Sequence, residues 1–218
     1  SKDYLLVPVK KEAEKRLLTF WYGTEKIYEF EISCVDTEET YPEDFCAVLP
    51  VKKWKGQKIR IEGDVCESLL AAVREKESAV RENSGYIHFV PETGWINDPN
   101  GLIYSEGKYH LYFQHNPVDV NWGNMSWGHA ESTDLLHWVQ KEDVMFPDEN
   151  GTMFSGCAIL NERGLLGLPK DTPVFFYTVA GSASEWSKGK KFVQRIAYST
   201  DQGETLTKIE ENVLEHIE

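Results

Sequence analysis

Trp127-Gly128-His129-Ala130-Glu131-Ser132-Thr133-Asp134-Leu135-Leu136-His137-Trp138 is the stretch on which the fold turns. Its first six residues read as a strand, and Ser-Thr-Asp closes that strand into a tight turn. The same three residues recur at Ser199-Thr200-Asp201, before Gln202-Gly203 and after another strand-like run. Around each copy the strands come in fours. The first group is 102–104, 109–114, 127–132 and 137–140; the second is 155–160, 174–179, 192–199 and 205–209. Two four-stranded units with a matching turn are the mark of propeller blades. Two blades do not close a ring, so the expected fold is all-β and a truncated propeller.

Before residue 85 the pattern differs. Residues 4–7, 17–22, 45–51 and 58–62 read as short strands, with Gly23-Thr24 as a hairpin turn. Tyr28, Phe30 and Ile32 alternate with Glu29, Glu31 and Ser33, the period of two of a strand with one buried face. Ile59 and Ile61 alternate with Lys58, Arg60 and Glu62 in the same way. A small antiparallel sandwich is expected. Over 66–82 the period changes: Leu69, Leu70 and Val73 fall on one helical face, which predicts a short helix. Asn83-Ser84-Gly85 reads as a break, giving an accessory β-domain over 1–84 and a second domain over 85–218. Trp21 and Trp54 are read as core aromatics in preference to sugar platforms.

The chemistry concentrates at Trp95-Ile96-Asn97-Asp98-Pro99-Asn100-Gly101, which holds one carboxylate, two amides and an indole. Proline fixes the backbone after the acid, and Asn-Gly suits a turn. Asp98 is therefore expected on a tight loop at the end of the strand over 102–104. A plain surface turn is the rival reading, since both dipeptides are common in turns.

Composition excludes some partners. The 218 residues carry 23 basic and 36 acidic side chains, a net charge of −13. Such a chain has no electrostatic reason to seek nucleic acid or anionic lipid. No apolar run approaches the ~20 residues that span a bilayer. Aromatics make up 12%, enough to suit a β-rich fold or a sugar site. Cys34, Cys46, Cys66 and Cys157 lack C-x-x-C spacing and do not suggest zinc. Buried thiols, or a Cys34–Cys46 pair, both remain open. No signal peptide is present, and the start at Ser1 is read as a sign that an upstream segment was removed.

Four stretches line up in order: the motif at 95–101, Phe113-Gln114-His115-Asn116-Pro117, the stretch at 127–138, and Phe154-Ser155-Gly156-Cys157. Together, over roughly 86–210, they resemble glycoside hydrolase family 32, the invertases, fructan hydrolases and levanases. The first eighty residues resemble, less closely, the small β-domain that precedes the catalytic module in some bacterial fructan hydrolases. The resemblance implies a five-bladed β-propeller with the active site in its axial funnel, and a retaining reaction on β-D-fructofuranosyl linkages of sucrose, inulin or levan. It makes Asp98 the nucleophile and puts Asn97, Gln114, Trp122, Phe154 and Ser155 in the fructose pocket. Trp95 and Trp127 fall near the funnel by position, while Trp122 and Trp127 have core as the competing reading. Retaining hydrolysis needs two carboxyl groups ~5–5.5 Å apart, one ionised and one protonated.

His115, His129 and His137 show no metal-like pairing and are read as hydrogen-bonded scaffold; no metal or cofactor is expected. Cys157 stands where many relatives carry Ser. The Arg-Asp-Pro and Glu-Cys motifs that hold the second Asp and the acid/base in relatives do not occur here. Glu131 and Asp134 match no catalytic position. The expectation is that the acid/base lies beyond Glu218 and that these 218 residues alone are inactive. A non-catalytic remnant that binds fructose-containing sugars and a fructosyltransferase are the alternatives. The expected partners are a fructose-containing oligo- or polysaccharide and either the remaining blades as a separate polypeptide or a second copy. The resemblance favours a secreted, periplasmic or cell-surface location.

Overall fold

Strands dominate the computed structural model, which describes residues 2–35, 41–63, 67–77 and 88–214, and the backbone of 81–83. Among the described residues the chain forms two compact units. The first comprises 1–80 together with 93–95 and 116–124, and the second the remainder.

In the first unit, β1 (Tyr4–Val9), β2 (Lys15–Tyr22), β3 (Glu25–Ser33), β4 (Phe45–Pro50), β5 (Ile59–Gly63) and β6 (Arg74–Lys76) make two three-stranded antiparallel sheets. Their orders are β4-β1-β6 and β3-β2-β5. The alternation along β3 buries Tyr28, Phe30 and Ile32 as expected. Glu29 is buried as well, and an ion pair with Lys26 covers its charge. Tyr28 Oη donates to the Pro50 carbonyl at 2.7 Å, tying one sheet to the other.

The helix expected over 66–82 is confined to α1 (Glu67–Ala72). Leu69 is buried, but Leu70 is exposed and Val73 lies outside the helix. Residues 74–76 instead pair with Tyr4–Leu6 of β1. A six-residue helix has little cooperativity, whereas β1 offers a row of backbone donors and acceptors at its edge. The flanking residues 64–66 and 78–80 lie outside the described residues.

Cys34 and Cys46 are thiols and no disulfide joins them; Cys66 lies outside the described residues. Trp54 meets Tyr28 edge to face at 6.2 Å. Trp21 carries two cations against its ring, Lys26 at 5.6 Å and Arg60 at 5.4 Å. An open cleft of about 670 Å³ is lined by Leu5, Ile59, Ile61, Leu70 and Val73, with Lys58 and Glu75 among the other lining residues. It is aliphatic and presents no aromatic face to a sugar.

In loop 116–124, Asp119 is buried, accepts from Ser33 Oγ, and caps Asn121 through both its backbone and side-chain nitrogens at 3.1 Å. The Asn124 side chain brackets Glu31, accepting from its N–H at 2.9 Å and donating to its carbonyl at 2.8 Å. One amide thus stands in for a strand neighbour along β3.

The second unit holds two sheets. β7 (Arg81–Asn83), β8 (Trp95–Ser105), β9 (Lys108–Asn116), β10 (Ser126–Ser132) and β11 (Trp138–Gln140) assemble in the order β7-β11-β10-β9-β8. The first group of four strands is thus a sheet of five. β12 (Thr152–Leu160), β13 (Pro173–Ala180), β14 (Val193–Tyr198) and β15 (Thr207–Lys208) form the other, in chain order. One core joins them: Tyr112, Trp127, Met145, Met153, Phe175, Tyr177, Val179 and Ala197. Phe175 presents its ring edge-on to Tyr112 at 4.9 Å and to Trp127 at 6.3 Å.

The repeated turn is built twice from the same bonds. Ser132 Oγ donates to Asp134 Oδ1 at 3.1 Å, and Ser199 Oγ to Asp201 Oδ1 at 2.8 Å. The same serine oxygens accept from the Asp134 N–H at 3.2 Å and the Asp201 N–H at 3.4 Å. Leu135 and Gln202, one residue after each Asp, both adopt positive φ, 65° and 62°. Asp134 also accepts from His137, through both ring and backbone, and these bonds hold its carboxyl well below the usual range.

Candidate functional site

Asp98 does not sit in a turn. β8 runs unbroken from Trp95 to Ser105, so Asp98-Pro99-Asn100-Gly101 is strand. This corrects the expectation of a tight loop, and the sheet explains why the sequence misled. β8 is an edge strand, the position at which a sheet tolerates proline. Gly101 takes φ +48° inside the strand, and a Cβ there would meet the Phe175 ring at 3.2 Å. Turn-forming residues here kink a strand and bring it close to its neighbour. Asn97 and Asp98 are both exposed on it.

The strand that meets Asp98 from the other sheet is β12. Its pairing with β13 shifts register between Met153 and Gly156, so Phe154 and Ser155 form a bulge. A bulge re-aims the side chains it carries. Ser155 Oγ donates to Asp98 Oδ2 at 2.6 Å. Gly156 follows because nothing larger fits: a Cβ would lie 2.0 Å from the Phe176 carbonyl oxygen.

Three further bonds brace this pair. Asn100, buried, accepts from the Gly156 N–H at 3.4 Å, while its own Nδ2 is buried without a partner. Gln114, also buried, donates to the Met153 carbonyl at 2.9 Å. Trp127 is wholly buried and donates to the Phe154 carbonyl at 3.0 Å. Trp127 is therefore core, and its indole N–H fastens the backbone of the bulge. Gln114 does the same with an amide proton.

The structure thus brings together Asp98, Ser155, Phe154 and Gln114, with Asn97 beside the acid on β8. Trp122 belongs by its contacts to the first unit, in loop 116–124. At 56% exposure it is not a core residue there. Asn100 was legible only as a turn former, and its bracing role emerges from burial. Phe192, edge-on to Phe154 at 5.8 Å, was read as ordinary strand.

The histidines are hydrogen-bonded scaffold. His115 Nδ1 faces the Asp143 carboxylate at 2.9 Å, and His129 Nε2 meets His110 Nδ1 at 3.2 Å. His110, His129 and Glu131 bring ligand-type atoms within 4.8 Å of one another, a grouping the sequence did not reveal. Glu131 is already paired with Lys108 at 2.9 Å and Lys141 at 3.7 Å, so a cation there would compete with two ammonium groups.

Burial holds both ring pKa values below the ordinary histidine range, His129 the further. The unfolded chain, with ordinary histidines, takes up protons that the native pair refuses. Stability from this pair is therefore complete above the unfolded value near 6.5 and is lost as pH falls toward the lower native values. Thermal melts between pH 7.5 and 5 should show Tm falling with acidity, with the fall reduced in His129→Gln. An unchanged slope in that variant would move the effect elsewhere.

Comparison with known proteins extends the geometry. Residues 88–217 match the family model described as glycosyl hydrolases family 32 N-terminal domain. The chain is 44% identical to a levanase of Bacillus subtilis over 124 residues, which is 56% of this chain and 17% of that protein. It is 41% identical to an extracellular exo-inulinase of Aspergillus awamori over 137 residues, 56% of this chain and 26% of that one. Two solved structures of a fructofuranosidase from Schwanniomyces occidentalis also align. The complex with fructosyl-erythritol gives a TM-score of 0.52 at 36% identity, covering 61% of this chain and 27% of that chain. The complex with fructose gives 0.50 at 38%, covering 57% and 25%. The chain thus spans about a quarter or less of the relatives it matches. Those structures are β-propellers, and the two sheets of the second unit correspond to propeller blades.

Proposed function

The chain belongs to glycosyl hydrolase family 32, and from that premise we propose that it forms the nucleophile-bearing part of a retaining enzyme acting on β-D-fructofuranosyl linkages. The observation that carries the reading is the Ser155–Asp98 bond at 2.6 Å within the motifs of that family. Asp98 attacks the anomeric carbon through Oδ1 while Ser155 holds Oδ2 and fixes the plane of the carboxylate. Asn97, exposed beside it, serves the sugar hydroxyls. Phe154 walls the pocket, and Gln114 holds the bulge in shape. The proton donor for the leaving oxygen is assigned to a residue outside these 218. Sucrose, inulin and levan are the candidate substrates.

The test is assay of the natural gene product on all three, with the anomer released first followed by NMR. Retention requires two displacements and yields the β-anomer first. No turnover of any of the three, or first release of the α-anomer, would sink the reading.

We also assign Trp122 a sugar-contacting face, on the grounds of its exposure and the apolar surface it offers to C–H groups. Trp122→Ala should weaken sugar affinity several-fold with Tm nearly unchanged. A large fall in Tm at unchanged affinity would make it a packing residue instead.

A further inference from the structure

Phe192 has no part in the reaction as assigned, yet it touches the bulge that carries Ser155 through the Phe154 ring. Its ring meets Phe154 edge-on at 5.8 Å and 83°, and Phe154 precedes the serine that holds Asp98. At 45% exposure Phe192 keeps much of its ring in water. The segment behind it is tightly self-bonded. Ser182 Oγ donates to the Lys190 carbonyl at 2.9 Å and accepts from the Gly189 N–H at 2.9 Å. The Ser182 N–H reaches the Ser187 carbonyl at 3.0 Å, and Ser187 is fully buried. A Cβ on Gly181 would lie 2.3 Å from the Lys191 carbonyl oxygen, so the neck of the loop is pinched shut beside Phe192. The aromatic is held in place before any ligand arrives, which lowers the ordering cost of binding.

Topology points the same way. The loop at 181–192 joins the second and third strands of its four-stranded unit. In the other sheet the loop at 116–124 joins the corresponding strands, β9 and β10, and carries exposed Trp122. Each of the two sheets thus has one exposed aromatic in the same connection.

We propose that Phe192, backed by Phe154, is the wall of a second sugar subsite, taking the C–H face of the sugar joined to the fructosyl unit held at Asp98. The proposal rests on the functional reading above. A flat apolar ring suits a neutral sugar, whose axial C–H groups pack on it while its hydroxyls stay in water.

The test compares three forms of the natural gene product: wild type, Phe192→Ala and Phe192→Tyr. Each is assayed on methyl β-D-fructofuranoside, whose aglycone is a single methyl group, and on sucrose and a fructose trisaccharide. Phe192→Ala should lower kcat/KM on the di- and trisaccharide by about 3- to 10-fold. It should leave the methyl glycoside within about twofold, and Phe192→Tyr should restore the wild-type ratio. Equal loss on all three substrates, or none, would overturn the subsite, as would a fall in Tm with unchanged substrate ratios. Wild type inert on every fructoside would overturn both the subsite and the functional reading. Turnover with an unaltered ratio would overturn the subsite alone.

Discussion

Asp98→Asn in the natural gene product should lower turnover by on the order of 10⁴–10⁶-fold, the scale seen when a covalent nucleophile is removed. The substitution is nearly isosteric, and the amide oxygen can still accept the Ser155 hydroxyl that now reaches Oδ2 at 2.6 Å. Asp98 is exposed on β8 and bears no packing load, so Tm should stay within about a degree of wild type. What disappears is the anionic oxygen that forms the glycosyl-enzyme bond. Sugar affinity, measured calorimetrically with fructose, should change little, because the contacts survive while the bond-making step does not. Wild-type turnover in the variant would remove Asp98 from the mechanism. Loss of affinity in parallel with turnover would recast it as a binding residue.

Gly156→Ala should be damaging out of proportion to the single carbon it adds. The added carbon would lie 2.0 Å from the Phe176 carbonyl oxygen and 2.9 Å from the Tyr177 Cα, and both atoms are backbone of the adjoining strand. Neither can swing aside as a side chain would, so β12 and β13 must part or the bulge must re-register. Overpacking of this kind costs about 1–3 kcal/mol, occasionally more, and should lower Tm by several degrees. Activity should fall further than stability alone explains, because the bulge aims Ser155 at Asp98 and its backbone is fastened by Gln114 and Trp127. Ser155→Ala separates the two effects: it deletes the hydroxyl without strain, so activity should drop at a Tm close to wild type. A Gly156→Ala protein with unaltered Tm would show that the strands yield there at no cost.

Much of the second unit was legible because its signals are local. A Ser-x-Asp turn satisfies its own backbone within a few residues, so two copies built from the same bonds appear in the sequence as two copies of the same letters. Alternation in β3 likewise reports one buried face, since Tyr28, Phe30 and Ile32 share it whatever lies opposite. Asp98 and Asn97, and the bulge residues Phe154 and Ser155, lie within the quoted motifs. The short helix expected within 66–82 is present as Glu67–Ala72, but its end was not legible for the converse reason: residues 74–76 are strand only because β1, some seventy positions away, presents an edge.

Sequence by itself determined the all-β class, the repeat of four-stranded units, and the identity of the residues gathered around Asp98. Tertiary structure alone decided what those residues do. Pro99 and Asn100-Gly101 read as a turn until β8 proves to be an edge strand, where a sheet tolerates proline and a kink is useful. That Gln114 and Trp127 fasten the carbonyls of Met153 and Phe154 is visible only once the strands that carry them are packed. His110, His129 and Glu131 read as unrelated until β9 and β10 pair in register and bury them together. The physical reason is the same in each case. Period and turn chemistry are properties of neighbouring residues, whereas a buried donor takes whichever acceptor the packing of distant strands supplies.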